Sequence, residues 1–564
     1  MPKLKISAVF IFVSVILIGC NDDADSSNTP TKPDVKPIAF NFVEGTIKQL
    51  HTSIKTGGIT CHAAVQGYLD RIQAYDKTGP TLNSVITVNT NALNEADRQD
   101  AYFKSTGNLT GPLHCVTVLA KDNFDTDDMP TSAGSLALQN SQPEHDSFVI
   151  KKIKDNGGII IGKANLDEFA FGFQGNSSHP NGGQAKNAYD LSKGPGGSSS
   201  GTGTSIAASF AMVGLGTDTG GSVRVPSAVE GLFGLRPSLR LVSQSGIIPL
   251  APFQDTAGPI CRTVEDCALL MDSLVGYDLN ASSNQRADFA IESPLMNNLT
   301  EYQSRTNIPR SYQEALQLNS LVGVRVGIVR DLFSKANTEE IQLVNEAVNK
   351  AIEQLKAAGA TVEDVTIDDL NTILTRYSSL SSFQFKTSLT AYLQSWPSSK
   401  DNHFRSYDEV LNSGLARSNF SIYNTDLTTP QMQAAYQLNS QERPSFVRTR
   451  ILSALDNKTL AGVSKGQAYD VLLYPTIQGL AANLGGSPTT GTANRLSPFS
   501  GFPAMNLPAG MVKLSMANND LPVGMEILGR EFAEPTLFKV AYGWEQFAKP
   551  RQAPTHTPEL SARR

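Results

Sequence analysis

Charged Lys3 and Lys5 open the chain, and the 13 residues from Ile6 to Ile18 are then apolar except for Ser7 and Ser14. A membrane-spanning helix needs about 20 such residues, so this stretch predicts an export signal rather than a span. From Asn21 to Pro37 the pattern reverses to Asp, Ser, Asn, Thr, Pro and Lys, which cannot bury enough surface to fold and predicts a tether. Beyond it, Val65, Tyr68, Leu69, Ile72 and Tyr75 recur on one face and predict a first helix capped by Thr60. Apolar runs predict strands around Cys115–Ala120 and Gly158–Ile161, and the small residues of Ser205–Met212 predict a helix packed closely on a sheet. Farther on, Val322–Val329 reads as a strand. Thr338 then opens a helix with Ile341, Val344, Val348, Ile352 and Leu355 on one face; Gly359 ends it and Thr361–Val365 resumes a strand. Such a β–α–β unit favours parallel pairing, and the alternation gives an α/β class.

Roughly 525 residues follow the tether, a size that large α/β enzymes reach with one extended sheet. No internal repeat is evident. Residues 280–320 and 370–460 carry the fewest motifs, and the polar runs Ser398–Asn402 and Asn424–Gln431 look like surface or lid segments. Phe385-Lys386 and Tyr392-Leu393 are candidates to line a pocket, with core packing the expected job. Residues 556–564 read as a polar tail.

Candidate chemistry concentrates in two glycine turns. Gly196-Gly197-Ser198-Ser199-Ser200-Gly201 and Gly216-Thr217-Asp218-Thr219-Gly220-Gly221-Ser222-Val223-Arg224 place Ser198 and Ser222 24 positions apart. Glycine lets backbone N–H groups approach a ligand, and a hydroxyl ending such a turn is the local chemistry of acyl transfer. Upstream, the run Val116–Ala120 ends in Lys121, an amine where a strand meets a loop.

Taken together these motifs resemble the amidase signature hydrolases. Lys121-Asp122-Asn123 and both glycine turns match, with Gly111-Pro112-Leu113-His114, Lys163-Ala164-Asn165-Leu166-Asp167-Glu168-Phe169, Ser500-Gly501-Phe502-Pro503-Ala504 and Leu521-Pro522-Val523-Gly524-Met525 in the same order. The resemblance covers roughly residues 40–550 and implies one body over 39–555, with substrate-side or lid segments around 280–460. It implies a large mixed, mostly parallel sheet layered by helices. It also implies a triad in which Ser222 is nucleophile, Ser198, on a cis peptide, relays its proton, and Lys121 is base. Physical chemistry agrees: an amide resists attack unless a base takes the hydroxyl proton, and a lysine does so only as the free amine. Backbone donors for the oxyanion would come from Thr219, Gly220, Gly221 and Ser222. Asp218 and Arg224 would brace the loop or form a structural ion pair, and Ser199 would anchor the turn that holds Ser198.

Two other chemistries compete. Gly197-Ser198-Ser199-Ser200-Gly201 also fits a G-x-S-x-G elbow with Ser199 as nucleophile, but that motif needs a hydrophobic strand before it, and Asn187–Pro195 reads as a loop. Metal chemistry is poorly supported, because none of the seven histidines are paired at ligand spacing. No phosphate loop, dinucleotide fingerprint or basic aromatic-studded surface is present. The expected cofactor set is therefore empty.

Leu17-Ile18-Gly19-Cys20 resembles a bacterial lipobox, which implies cleavage after residue 19, lipid on Cys20 and a membrane-tethered body in the periplasm or outside the cell; the alternative is an ordinary signal peptide. Formal charge is −6, or −8 once Lys3 and Lys5 leave with the signal, which argues against a nucleic-acid partner. Four cysteines follow Cys20, and an exported protein can oxidise them. Cys61 with Cys115 is the favoured pair, since one lies on the first helix and the other on the Lys121 strand. Four free thiols are the alternative. Cys261 and Cys267 are a second bridge or two core thiols.

The sequence thus points to an exported, lipid-anchored amidase of the peptide-amidase-like branch, acting on C-terminal peptide amides or small aliphatic and aryl amides. The A-type subunit of a glutamyl-tRNA amidotransferase is discounted, since an exported protein would meet neither charged tRNA nor its partner subunits. The competing classes are a silent binding lipoprotein on the same scaffold and an esterase.

Overall fold

Eleven strands hydrogen-bond into one sheet in the order β1-β3-β2-β4-β6-β5-β10-β11-β9-β7-β8. They are β1 (Val85–Val88), β2 (Thr117–Lys121), β3 (Ile159–Ala164), β4 (Val213–Asp218), β5 (Phe233–Arg236), β6 (Thr256–Cys261), β7 (Arg325–Ile328), β8 (Thr361–Asp364), β9 (Val471–Pro475), β10 (Ala504–Val512) and β11 (Leu521–Leu528). The computed structural model describes residues 36–279, 298–306, 308–395, 404–417, 420–423 and 425–561. The expected signal, the Cys20 lipobox, most of the tether, the run Ser398–Asn402 and Asn424 lie outside them. Among the described residues no helix is long and apolar enough to cross a membrane.

The α/β class and the mixed sheet are as expected, but the balance of directions is not mostly parallel. Parallel pairs occupy the flanks, β3-β2-β4 and β9-β7-β8, while every pairing from β4 through β6, β5, β10 and β11 to β9 is antiparallel. Connection chemistry explains the difference, because a parallel neighbour needs a crossover, usually helical. The links from β5 to β6 and from β10 to β11 contain no helix. The predicted β–α–β unit does form: β7 and β8 pair in parallel around the helix Glu339–Ala357, whose cap Thr338 accepts from the Ile341 N–H at 3.4 Å.

Two helices differ from expectation. A helix Ile47–Thr56, closed by a Thr46/Gln49 capping box, precedes the predicted first helix, which spans Cys61–Tyr75. The small-residue helix runs Ser200–Ala207, not Ser205–Met212, and ends where Ser209 takes a positive φ of 55°. It lies against the sheet so closely that a Cβ on Gly201 would come within 2.2 Å of Ser84 O. The earlier start puts the Ser198–Ser199 turn directly at its N-terminus.

Cys61 and Cys115 form a disulfide with Cα atoms 5.5 Å apart, joining that helix to the residues leading into β2, while Cys261 and Cys267 are free and buried. The start of the supposed tail packs on the body: buried Arg71 donates to Thr557 O and Pro558 O, each at 2.8 Å, as well as to Ala208 O and Ser209 O. Phe385 and Leu393 pack in an apolar cluster with Phe169 and Phe420, so core packing is indeed their job.

Candidate active site

Adjacent parallel strands assemble the site. Lys121 ends β2, Thr217 lies near the end of β4, and the pairing of Ala120 with Leu215 sets their register. Lys121 is fully buried, and Nζ donates to Ser198 Oγ at 2.8 Å and to Thr217 Oγ1 at 2.8 Å. Asn123 Nδ2 donates to the same threonine hydroxyl at 3.1 Å. Burial pushes the Lys121 amine down to about 7, against the opposing pull of Asp167, Asp218 and Asp255. Burial likewise raises Asp167 to about 6, although the N–H groups of Gln174 and Gly175 stabilise its charge.

Ser198 follows Gly197 through a cis peptide bond. A Cβ on Gly197 would lie 1.9 Å from Asp167 Oδ2, so only glycine fits there. Two backbone bonds tie this turn to its surroundings: Asp167 N–H donates to Ser198 O at 3.1 Å, and Ser199 N–H donates to Ser222 O at 3.2 Å. The Ser199 hydroxyl is spent on β4, donating to Thr217 O and accepting from Thr217 N–H, each at 3.3 Å. It ties the turn to β4 and does not line the cavity.

Ser222, Thr219 and Gly220 line a cavity of about 430 Å³, with Phe171, Phe173, Leu250 and Phe499 as apolar walls. Among the described residues the N–H groups of Thr219, Gly220 and Ser222 have no protein acceptor. Gly221 differs from expectation. Its N–H donates to Asp218 Oδ1 at 2.8 Å, because the carboxylate occupies the turn, so it braces the loop rather than facing the cavity.

Asp218 is the hub of that brace. It accepts from Val223 N–H at 3.1 Å, pairs with Arg224 Nε at 3.1 Å and with Arg236 Nη1 at 3.2 Å, all buried. These cations hold its carboxyl well below the usual range. Arg224 continues to Glu526 Oε1 at 2.7 Å, where Tyr474 OH also donates at 2.9 Å. The expected ion pair and the expected brace are therefore one network.

Sequence reasoning did not single out Thr217, Gln254, Arg236 or Asn494. Thr217 stood inside a quoted motif and could have been found there. Gln254 Nε2 donates to Thr219 O at 3.0 Å, and Asn494 Nδ2 donates to Gly220 O, from distant segments with no local signal. Of the candidate pocket-lining residues, Lys386 and Tyr392 line a separate cleft of about 650 Å³ rather than the Ser222 cavity. The one cluster of possible metal ligands among the described residues, Asp127, Asp128 and Asp146, surrounds Lys154 Nζ at 2.8, 3.7 and 2.8 Å.

A mixed α/β sheet with a buried amine bonded to one serine-bearing glycine turn, and a second such turn lining a cavity, is the arrangement of a hydrolase class. The amidase family profile matches residues 63–538, and the chain belongs to that family, whose members act on C–N bonds. The A-type subunit of glutamyl-tRNA(Gln) amidotransferase from Exiguobacterium sp. AT1b is 31% identical over 509 residues, 89% of this chain and 96% of that protein. The native peptide amidase of Stenotrophomonas maltophilia superposes with a TM-score of 0.75 at 29% identity, covering 91% of this chain and 99% of that one. An amidase family protein of Bacillus anthracis str. Ames gives 0.73 at 28% identity, covering 91% and 93%.

Proposed function

We propose that the protein hydrolyses carboxamides through Ser222, Ser198 and Lys121, and that it does so outside the cytoplasm, tethered by lipid on Cys20. One observation carries the chemistry: a fully buried amine whose pKa burial lowers to about 7, 2.8 Å from Ser198 Oγ. As a free amine Lys121 accepts the proton of Ser222 through Ser198 while Ser222 Oγ bonds to the amide carbon. The oxyanion then meets the open N–H groups of Thr219, Gly220 and Ser222. Collapse breaks the C–N bond as the relayed proton passes to nitrogen, which leaves as ammonia or an amine. Water, deprotonated by the same relay, cleaves the acyl ester on Ser222 and releases the carboxylate. C-terminal peptide amides and small aliphatic or aryl amides are the substrate classes, supported by likeness to peptide amidase.

The full-length protein in detergent should release ammonia from amidated peptides or simple amides. Ser222→Ala should lower this by about 10⁴-fold or more while folding survives. Near-parental turnover in that variant refutes the triad. A serine-reactive fluorophosphonate that labels the parent but not Ser222→Ala separates this reading from a silent binding scaffold. Likeness to the glutamyl-tRNA(Gln) amidotransferase component favours one second reading, ammonia supply from glutamine, which predicts turnover that depends on partner proteins.

A further inference from the structure

Among the described residues, the cavity in front of Ser222 is lined by a cation and by no carboxylate. Arg495, in the lining, donates one N–H to Leu374 O at 2.9 Å and pairs with no acid among the described residues. A second guanidinium lies behind the wall. Arg443 is almost wholly buried, stacks 4.3 Å from the Phe499 ring centroid and donates to Gln254 Oε1 and Ser378 O. Phe499, Gln254 and Ser378 all line the cavity. Arg443 also meets no carboxylate among the described residues, and its Nε has no acceptor. Burial lowers its pKa to about 9, so the cation is retained at neutral pH.

The nearby acid does not balance this charge within the cavity. Asp255 lies behind the lining, with its oxygens taken by Thr219 Oγ1 at 2.6 Å, Leu250 N–H at 2.9 Å and Ala251 N–H at 3.0 Å. Buried cations are ordinarily paired, because an unpaired charge in a low-dielectric interior is costly. Arg443 is the buried cation; Arg495 is half-buried in the lining, so the positive field of both reaches the cavity and a ligand can supply the counter-charge, a carboxylate matching a guanidinium through two parallel N–H bonds. The apolar walls suit a short hydrocarbon link between that anion and the amide.

We propose that the cavity selects amides that carry a carboxylate a few bonds from the scissile carbonyl, with Arg495 as the specificity-determining residue. Monoamides of dicarboxylic acids are the simplest members of this class. The inference rests on the hydrolytic reading of Ser222.

The test compares chromogenic p-nitroanilides of equal chain length: succinyl with butanoyl, glutaryl with pentanoyl, adipyl with hexanoyl, on the full-length protein in detergent. The best pair should favour the carboxylate by about tenfold or more in kcat/KM, expressed mainly in KM and shrinking as salt rises. Arg495→Met should bring that ratio close to one, and Arg495→Lys should keep part of it, with fluorophosphonate labelling of Ser222 reporting a folded site in both. Ser222-dependent cleavage without preference for the anion, or a preference unchanged in Arg495→Met, overturns the inference alone. Absence of Ser222-dependent cleavage of either member of every pair overturns this inference, and it overturns the hydrolytic reading as well where amidated peptides and simple amides also release no ammonia.

Discussion

Lys121 is the residue on which the proposed chemistry turns, and its titration has two consequences of fixed sign. As base it works in the neutral form, so kcat/KM should rise about tenfold per pH unit below the pKa and level off above about 7. A flat profile from pH 5 to 9, with chemistry shown to limit the rate, contradicts the assignment. Stability follows the same group. The folded pKa is depressed from 10.5 to about 7, so between those values the unfolded chain binds more protons, and the Lys121 contribution rises with pH. The urea midpoint of the parent should therefore gain on that of inactive Lys121→Met between pH 7 and 10; a difference constant with pH means the amine is not titrating there. At this scale the sequence was informative, since Lys121, Ser198 and Ser222 stand in glycine motifs or at a strand end. It was silent on Arg495 and Gln254, which reach the cavity from distant segments with no local pattern to mark them.

The element that presents Ser222 is a short strand, a turn and a short helix: β4 ends at Asp218 and the next helix begins at Arg224. The residues at that joint carry three interlocking jobs, and Asp218 coordinates them by holding Gly221 N–H, Val223 N–H, Arg224 and Arg236. Arg224→Met would leave Glu526 buried with one donor, Tyr474, and would loosen the grip on Asp218. Breaking a buried pair from one side typically costs about 3–5 kcal/mol, so the variant should show a loss of that order in urea unfolding together with reduced turnover. An Arg224→Met protein of parental stability and activity would show that the network is ornamental. Motif spacing revealed that Asp218 and Arg224 flank Ser222, but not Glu526, which comes from β11 on the antiparallel half of the sheet. The direction of those central strands was equally hidden. Alternating apolar runs announce strands, whereas parallel or antiparallel pairing depends on which strand each one meets and on what connects them.

Across the whole molecule, ties between distant segments close the fold around the sheet. Arg551 pairs with Glu44 at 2.8 Å, and Arg71 holds the carbonyls of Thr557 and Pro558, so both ends of the body are fastened to the same layer. The Cys61–Cys115 bridge acts on that layer too, closing a segment of 54 residues that includes β1 and its flanking helices. A loop of this length removes unfolded-chain entropy equivalent to about 4 kcal/mol, within the range that loss of a native bridge typically costs. Cys115 precedes β2 and Lys121 ends it, which puts roughly 20 Å of extended chain between bridge and amine. The Cys61→Ala/Cys115→Ala protein should accordingly melt at lower temperature yet keep Ser222-dependent turnover below its transition. Adding reductant should bring the parent toward the variant and leave the variant unmoved. Thiol counting on the unfolded chain from Asn21 onward decides the premise: two reactive thiols, Cys261 and Cys267, without reductant and four with it. Four thiols in protein recovered from an export pathway would remove the bridge and, with it, the agreement between the proposed export to an oxidising compartment and the covalent tie that holds the first helical layer to the strand of Lys121.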